Sequence, residues 1–231
     1  GDSLIKAVNN SADVIMENLN LRKNQANKDA IKILAQNGME ETVDNIEKIK
    51  NLNEVLKNLV NNMKPETVLN MIRAGINPMQ ADINDLNNYL VAANEDASRA
   101  NEEKFAKFLY KLDKTDGIET EERKMFIGIY QMMNIFTKDA GESVGRLVKQ
   151  GRSVTMGNLI TAYESKKHAG MDARIDDTTG LVSVSGTVNY YMSLFNNNKN
   201  FITPNTLKNV DKNHGIINES VDNFIESVQQ E

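Results

Sequence analysis

Apolar side chains recur three or four positions apart along most of the chain, which is the spacing of one face of an α-helix. The clearest stripe runs from Ile46 through Ile49 and Leu56 to Leu59. Stripes that predict further helices begin at Val8, Val68, Ile83, Phe105 and Met125. The pattern predicts an all-α fold, built as a multi-helical array of short helical hairpins.

One stretch of the chain, near residues 174–186, has a strand-like pattern instead. Val182–Ser185 alternates apolar and polar residues, and Asp176–Gly180 has the composition of a turn. Alternation with a period of two is typical of a half-buried strand, and Asp, Thr and Gly are frequent in turns. The sequence therefore predicts one small β-hairpin near residues 174–186 within the helical fold.

Proline and glycine mark helix boundaries in the middle of the chain. Pro65 stands at the start of an apolar stripe and Gly75 follows its end, which is the usual placement of the two residues. Asn77 and Pro78 then precede the stripe that contains Ile83. We therefore expect a helix between Pro65 and Gly75, and a second helix that is capped and started by Asn77 and Pro78.

Two segments, residues 38–46 and 151–159, share residues at equal offsets. Each begins with Gly and carries Thr four positions later, Asn seven positions later and an aliphatic residue eight positions later. Residues 75–83 match more loosely, and residues 199–207 form a degenerate fourth copy. The pattern predicts a helix ended by a left-handed Gly and a second helix capped by Thr. Two interpretations stay open, because capping rules alone reproduce these residues in any helical protein and stacked hairpin repeats would do the same.

A polar, small-residue segment at residues 94–98 is the most linker-like part of the chain. It predicts an N-terminal helical hairpin region at residues 1–94 and a C-terminal helical region at residues 95–231. The two regions can also pack as one continuous domain.

The composition excludes several classes of function. The 231 residues contain no Cys and two His, so thiolate metal sites and a cysteine nucleophile are ruled out. The net charge of −5 argues against nucleic acid as the main partner, and no apolar stretch reaches the length of a membrane span. We expect no cofactor, no nucleic acid and no membrane insertion. The compartment stays open, with the cytoplasm favoured over secretion.

Glycines and methionines inside the helical patterns raise separate expectations. Gly145 and Gly157 predict places where two helices cross closely. Met125, Met132 and Met133 lie at helical spacing, which is more typical of a core than of an adaptable binding groove.

The densest polar cluster of the sequence contains His168, Asp172, Asp176 and Asp177. One imidazole and three carboxylates can hold a hard cation or act in acid–base chemistry. The simpler interpretation is a helix C-terminus followed by an acidic turn, and we favour it because the chain supplies no recognisable set of further ligands. These four residues are weak metal candidates, and no catalytic or cofactor-binding residue is predicted.

Basic residues are clustered once, at Arg146, Lys149 and Arg152. Asp139 and Glu142 stand close to them in the sequence. A mixture of both signs is typical of a solvated helix face, and it does not match the continuous basic stripe that follows a nucleic-acid backbone.

Part of the chain resembles a known group of proteins. The stretch begins at residues 120–130, continues through Ala140 and Gly141 to Asn158 and Leu159, and ends at residues 167–177. Over roughly residues 117–180 the chain resembles an uncharacterised (domain-of-unknown-function) family of helical proteins from clostridia and related Gram-positive anaerobes. The resemblance implies no catalytic residue, and it implies a link to flagellar or surface assembly.

The sequence thus predicts a non-enzymatic, helical protein–protein interaction or scaffold module with a protein partner. The alternative is a metal-dependent enzyme or a cation-binding regulatory protein centred on His168, Asp172, Asp176 and Asp177.

Overall fold

The computed structural model describes residues 11–95, 102–172 and 180–204, with the backbone alone at residues 168–172 and 180–185. A first helical segment, α1, covers residues 11–18. The following helices are α2 (Gln25–Gln36), α3 (Val43–Asn62), α4 (Pro65–Arg73), α5 (Ile83–Glu95), α6 (Phe105–Lys114), α7 (Thr120–Asp139), α8 (Glu142–Lys149), α9 (Met156–Asp172) and α10 (Gly180–Leu194). Two short strands, β1 (Ile76–Asn77) and β2 (Asn200–Phe201), pair in parallel. The prediction of an all-α fold is confirmed.

Local signals set the helix ends, as the sequence predicts. Pro65 is the first residue of α4, and Gly75, which follows the helix, has a φ of +68°. Gly38 and Gly151 also adopt positive φ, at +62° and +66°. Glycine reaches this conformation without the steric cost of a Cβ atom, so it can reverse the chain directly after a helix.

We call residues 38–46, 75–83 and 151–159 the first, second and third corners. In the first and third corners the Thr hydroxyl accepts a hydrogen bond of 3.1 Å from the backbone N–H of the Asn three residues later. The Asn side-chain amide donates to the backbone carbonyl five residues before it, at 2.9 Å and 2.8 Å. The two corners therefore share one capping geometry, and the stacking of the corners as copies of a single repeat stays a prediction.

The second corner joins two distant parts of the chain. The N–H of Ile83 donates to the carbonyl of Val154 at 3.0 Å, and the N–H of Gly157 donates to the carbonyl of Met79 at 2.9 Å. On the other side, β1 in the second corner pairs with β2. Backbone hydrogen bonds thus tie the second corner to the third corner and to the strand after α10.

Buried apolar side chains form two clusters. The smaller one joins α1, α2 and the start of α3, and its members are Ala12, Met16, Ala30, Ile31, Ile33, Leu34, Ile46 and Ile49. The larger one extends from Leu56 to Ile202 and draws on both sides of residue 95. Val148 of α8 packs against both clusters. The division into residues 1–94 and 95–231 stays a prediction.

The predicted start of the helix after Gly75 is wrong. Ile76 and Asn77 are extended in β1, and α5 begins only at Ile83. Asp82 is the cap, since its carboxylate accepts a hydrogen bond of 2.8 Å from the N–H of Asn84. The Asn77 Oδ1 atom accepts a hydrogen bond of 3.0 Å from the N–H of Met79, and the Asn77 amide donates to the carbonyl of Phe195. Pairing with a distant strand overrides the local Asn-Pro signal.

The predicted β-hairpin near residues 174–186 is also wrong where the structure describes it. Residues 180–186 belong to α10, and residues 174–179 lie outside the described residues. The alternating stretch is only four residues long, and α10 packs against both α7 and α9. Tertiary packing of a longer helix outweighs a short alternating pattern.

The predictions for glycines and methionines inside helices are confirmed. A Cβ atom on Gly145 of α8 would lie 2.6 Å from Cγ2 of Ile33 in α2, and one on Gly157 of α9 would lie 3.2 Å from Sδ of Met192 in α10. Met132 and Met133 are buried in the larger cluster and Met125 is partly buried against it, so all three belong to the core. Among the described residues, no helix combines the length and the apolar character that crossing a bilayer requires.

Candidate functional site

A polar cleft of about 660 Å³ lies between the C-terminal end of α2, helix α8 and helix α9. It brings charged side chains of distant segments together. Its lining residues are Gln36, Asn37, Gly38, Glu142, Ser143, Arg146, Lys149, Gln150 and Lys166. Volumes of this size are typical of small-ligand sites.

Close packing of α2 against α8 forms one wall of the cleft. Gly145 lets the two helices approach, because any side chain there would overlap Ile33 and Asn37. The amide of Asn37 donates to its own helix at the carbonyl of Ile33, 2.9 Å away, and across the interface to the carbonyl of Glu142, 3.1 Å away. Asn37 therefore ends α2 and holds it against the start of α8.

The cations in the cleft bind oxygen atoms of neighbouring helices. Lys149 Nζ donates to the carbonyl of Asn37 at 2.7 Å, and Arg146 Nη1 donates to the carbonyl of Ala162 at 3.3 Å. Lys166 forms an ion pair with Glu142. A cation at a helix C-terminus offsets the negative end of the helix dipole, which is the position of Lys149 beside the end of α2.

A buried carboxylate, Asp139, lies behind this ion pair. Its side chain is 3% exposed, and Oδ2 accepts a hydrogen bond of 2.8 Å from the N–H of Ser143, which caps α8. Lys166 Nζ is 3.9 Å from Oδ1, which has no hydrogen-bond partner. Burial raises the pKa of Asp139, and the N–H of Ser143 and the charge of Lys166 oppose that rise.

The polar side chains of the cleft join its helices to one another. The Ser143 hydroxyl lines the cleft, is buried and has no hydrogen-bond partner among the described residues. Arg146, Lys149 and Lys166 each already bond to a protein oxygen atom. The cleft thus holds α2, α8 and α9 together, and its open rim presents charge to the solvent.

A second candidate surface is aromatic, and we define it by Phe105 of α6 and Tyr130 of α7. The ring centroids of Phe105 and Tyr130 are 5.5 Å apart. Tyr130 is 42% exposed. The hydroxyl of Tyr191 donates to Oε1 of Gln131 at 3.2 Å, which positions α10 beside this part of α7.

Helix α6 completes the aromatic surface without being buried itself. None of its residues is fully buried, although Phe105 and Phe108 pack against Phe126 with centroid distances of 5.0 Å and 5.9 Å. Tyr110 on the same helix is 59% exposed and lies under the ammonium group of Lys114. The apolar side of α6 therefore remains partly open to solvent.

The predicted cation ligands are placed only in part. His168 and Asp172 belong to the C-terminal end of α9, where the structure gives the backbone alone. Asp176 and Asp177 lie outside the described residues. Elsewhere in the described parts of the chain, no three His, Asp or Glu side chains are grouped closely enough to hold a metal ion. The prediction of weak metal candidates stays a prediction.

Sequence reasoning noted Asp139, Glu142, Arg146 and Lys149 as a solvated face and missed the cleft that they form with α2. The one residue that could have indicated the cleft was Gly145. It lies inside a helical pattern, three residues after Glu142 and directly before Arg146. That signal predicted a close helix crossing, but it did not indicate which helix crosses there.

Comparison with known proteins places the chain in a family. A family of unknown function (DUF6240) matches residues 1–160, which is more than half of the chain, so the chain belongs to this family. No curated protein and no solved structure matches the chain. The matched residues include every helix that lines the cleft except most of α9, and they include Phe105 and Tyr130 of the aromatic surface.

Proposed function

We propose that the chain is a non-enzymatic helical module that binds a protein partner through the aromatic surface. The observation that carries this proposal is the exposure of Tyr130, whose ring stacks on Phe105 of the partly open helix α6. Tyrosine is enriched at protein interfaces because it offers a large apolar ring and a polar hydroxyl at low conformational cost.

The arrangement of the rings also supports binding. Phe105 packs between Phe126 of the core and Tyr130, so Tyr130 rests on a packed base and is not a freely rotating side chain. A partner that covers such a ring loses little side-chain entropy on binding. Residues with these properties are the usual centres of binding energy at interfaces.

The test compares binding by the natural chain with binding by a Tyr130→Ser variant. A protein recovered on the immobilised natural chain from a lysate of its source organism is produced separately, and its Kd is measured by calorimetry. We expect a loss of at least tenfold in affinity for Tyr130→Ser, because this ring is a hot-spot candidate.

Val91→Ser is the matched control. Val91 is 41% exposed on α5, a helix that carries neither ring of the aromatic surface. The control is expected to bind as the natural chain does. Equal affinity of all three proteins for the recovered partner contradicts the proposed surface, and recovery of no partner contradicts the proposed function.

The resemblance over residues 117–180 supports a more specific proposal about the source of the family. We propose that its members are proteins of clostridia and related Gram-positive anaerobes. On that basis the first partners to test are components of flagellar or surface assembly. Mass spectrometry of the recovered partner tests this proposal, and a partner from an unrelated process contradicts it.

The alternative, a cation-dependent protein centred on His168, Asp172, Asp176 and Asp177, is distinguished by a thermal-shift titration. Calcium, magnesium and zinc ions are the probes. Specific binding stabilises a protein by RT ln(1 + [L]/Kd), so a site of micromolar affinity raises Tm at millimolar metal. A rise that is lost in His168→Ala and Asp172→Ala would favour the alternative over the interaction module.

A further inference from the structure

Two surfaces of opposite charge lie side by side on this fold. Glu40, Glu41 and Asp44 are exposed in the first corner. None of the three takes part in an ion pair within the described residues. We call them the acidic patch. The first corner also exposes Val43, at 41%.

The basic patch consists of Arg146, Lys149 and Arg152, around the end of α8. Lys149 and Arg152 are exposed and Arg146 is half-buried. Their polar contacts in the described chain are to carbonyl or amide oxygen atoms, so none of the three is neutralised by a carboxylate. Arg152 Nη2 is 3.5 Å from Oδ1 of Asn158 and has its remaining donors available.

The two patches adjoin at the start of the first corner. Lys149 Nζ lies 3.7 Å from the position of a Cβ atom on Gly38 and bonds to the carbonyl of Asn37. Glu40 follows Gly38 by two residues. The patches are therefore neighbours, yet no ion pair joins them within the described residues.

The third corner shows what such a surface looks like when it is covered. The positions equivalent to Glu41, Val43 and Asp44 hold Val154, Met156 and Gly157, which are buried against the second corner. The same local geometry is open in the first corner, and it carries carboxylates there. A surface that covers the first corner as the second corner covers the third would face carboxylates, so positive charge on that surface would favour the contact.

We propose that a second copy of this chain supplies that surface, forming a two-fold dimer in which the acidic patch of each copy contacts the basic patch of the other. Adjacent patches of opposite charge make a surface complementary to itself, which is the requirement of a two-fold interface. The dimer uses a different surface from the proposed partner site, so the two proposals fail or succeed separately.

Sedimentation equilibrium at two salt concentrations is the first measurement. The net charge of −5 repels two copies at long range. At about 0.1 M salt this repulsion is screened while contacts of a few ångströms persist, and at about 1 M salt the contacts are screened as well. We expect a dimer at the lower concentration and a monomer at the higher one. A monomer at both concentrations overturns the proposal.

Charge reversal with rescue is the second measurement. Glu41→Arg and Arg152→Glu are each expected to weaken the dimer at least tenfold, because like charges then face each other across both contacts. An equimolar mixture of the two variants restores a dimer of natural affinity, since both contacts again join opposite charges. Failure of the mixture to associate overturns the assignment of the patches.

Controls separate this interface from a general effect of charge. Glu54→Arg and Lys107→Glu reverse exposed charges on α3 and α6, outside both patches. These variants are expected to dimerise as the natural chain does. The proposal is contradicted if the dimer Kd rises equally in the control variants, or if none of the charge reversals changes it.

Discussion

The first and third corners have the same caps and different surroundings. Each has a left-handed Gly, a Thr cap and an Asn side chain that bonds back to the chain. The third corner is covered by the second corner through two backbone hydrogen bonds, whereas Glu41, Val43 and Asp44 of the first corner are exposed. The difference shows that capping defines the turn, and that the residues between the caps decide whether the turn is buried.

The largest expected loss of stability follows substitution at the one buried apolar position that the first and third corners share. Ile46 and Leu159 both stand eight residues after the corner Gly and are 0% and 1% exposed. Replacing either by Ala is expected to lower the free energy of unfolding by about 2–5 kcal/mol, because it removes buried methyl groups and leaves a cavity. Urea denaturation measures both variants. A loss below about 1 kcal/mol in only one of them would show that the corners do not share this core role.

A smaller loss of stability, different in the two corners, is expected at the second residue of the helix that follows each corner. A Cβ atom on Gly157 would lie 3.0 Å from the carbonyl oxygen of Met79, and Asp44 at the equivalent position is exposed. Gly157→Val is expected to cost about 1–3 kcal/mol through overpacking. Asp44→Val is expected to cost less than about 1 kcal/mol, since it only removes an acidic residue from a first helical turn. Equal losses would argue against the covering of the third corner.

The corner glycines themselves are expected to behave alike. Gly38→Ala and Gly151→Ala place a Cβ atom at φ values of +62° and +66°, which costs roughly 1–2 kcal/mol. Gly151 has no atom within 4 Å of that Cβ position, so its loss is purely conformational. Thermal unfolding compares these variants with Gly151→Asn, and Asn is expected to be tolerated better because it adopts left-handed conformations more readily. A loss of stability in Gly38→Ala without one in Gly151→Ala would contradict the shared geometry of the two corners.

The smallest effect concerns Asp139, which caps the helix that leads into the third corner. Its pKa is above the ordinary value of 3.8, chiefly because of burial. Its contribution to folding is therefore fully present below that ordinary value and is lost as the pH rises through the folded-state pKa. Asp139→Asn is expected to gain stability relative to the natural chain as the pH is raised from about 3.5 to about 7.

Urea denaturation across this pH range measures the difference, with Asp44→Asn as an exposed control. Asp139→Ala should be less stable than Asp139→Asn, because Ala cannot accept the hydrogen bond from Ser143 that caps α8. A difference between the natural chain and Asp139→Asn that does not change with pH would contradict the inferred rise in pKa.

Much of the fold could be predicted from local pattern. The stripe that contains Ile46 and Leu56 belongs to α3, and the crossings at Gly145 and Gly157 are found in the structure. The start of α5 and the hairpin near residues 174–186 could not be predicted correctly. In both places a contact with a distant segment outweighs the local preference: β1 pairs with β2, and α10 packs on α7 and α9.

The candidate sites were harder to predict than the fold, because each is formed by contacts between segments that are distant in the sequence. The charged residues of α8 were visible in the sequence, but the cleft requires Asn37 to bond with Glu142, a residue 105 positions away. The aromatic surface likewise combines α6 and α7. Spacing within one helix indicates which residues share a face, and it carries no information about which other helix meets that face.

Local sequence is enough to define where these helices end and how the chain turns. A left-handed Gly and a Thr cap act within a few residues of their own position. Tertiary structure decided which corner is buried, why Asp139 is held in a place that raises its pKa, and which charges remain unpaired. The reason is physical: burial and electrostatic interaction depend on distances between segments that are far apart along the chain.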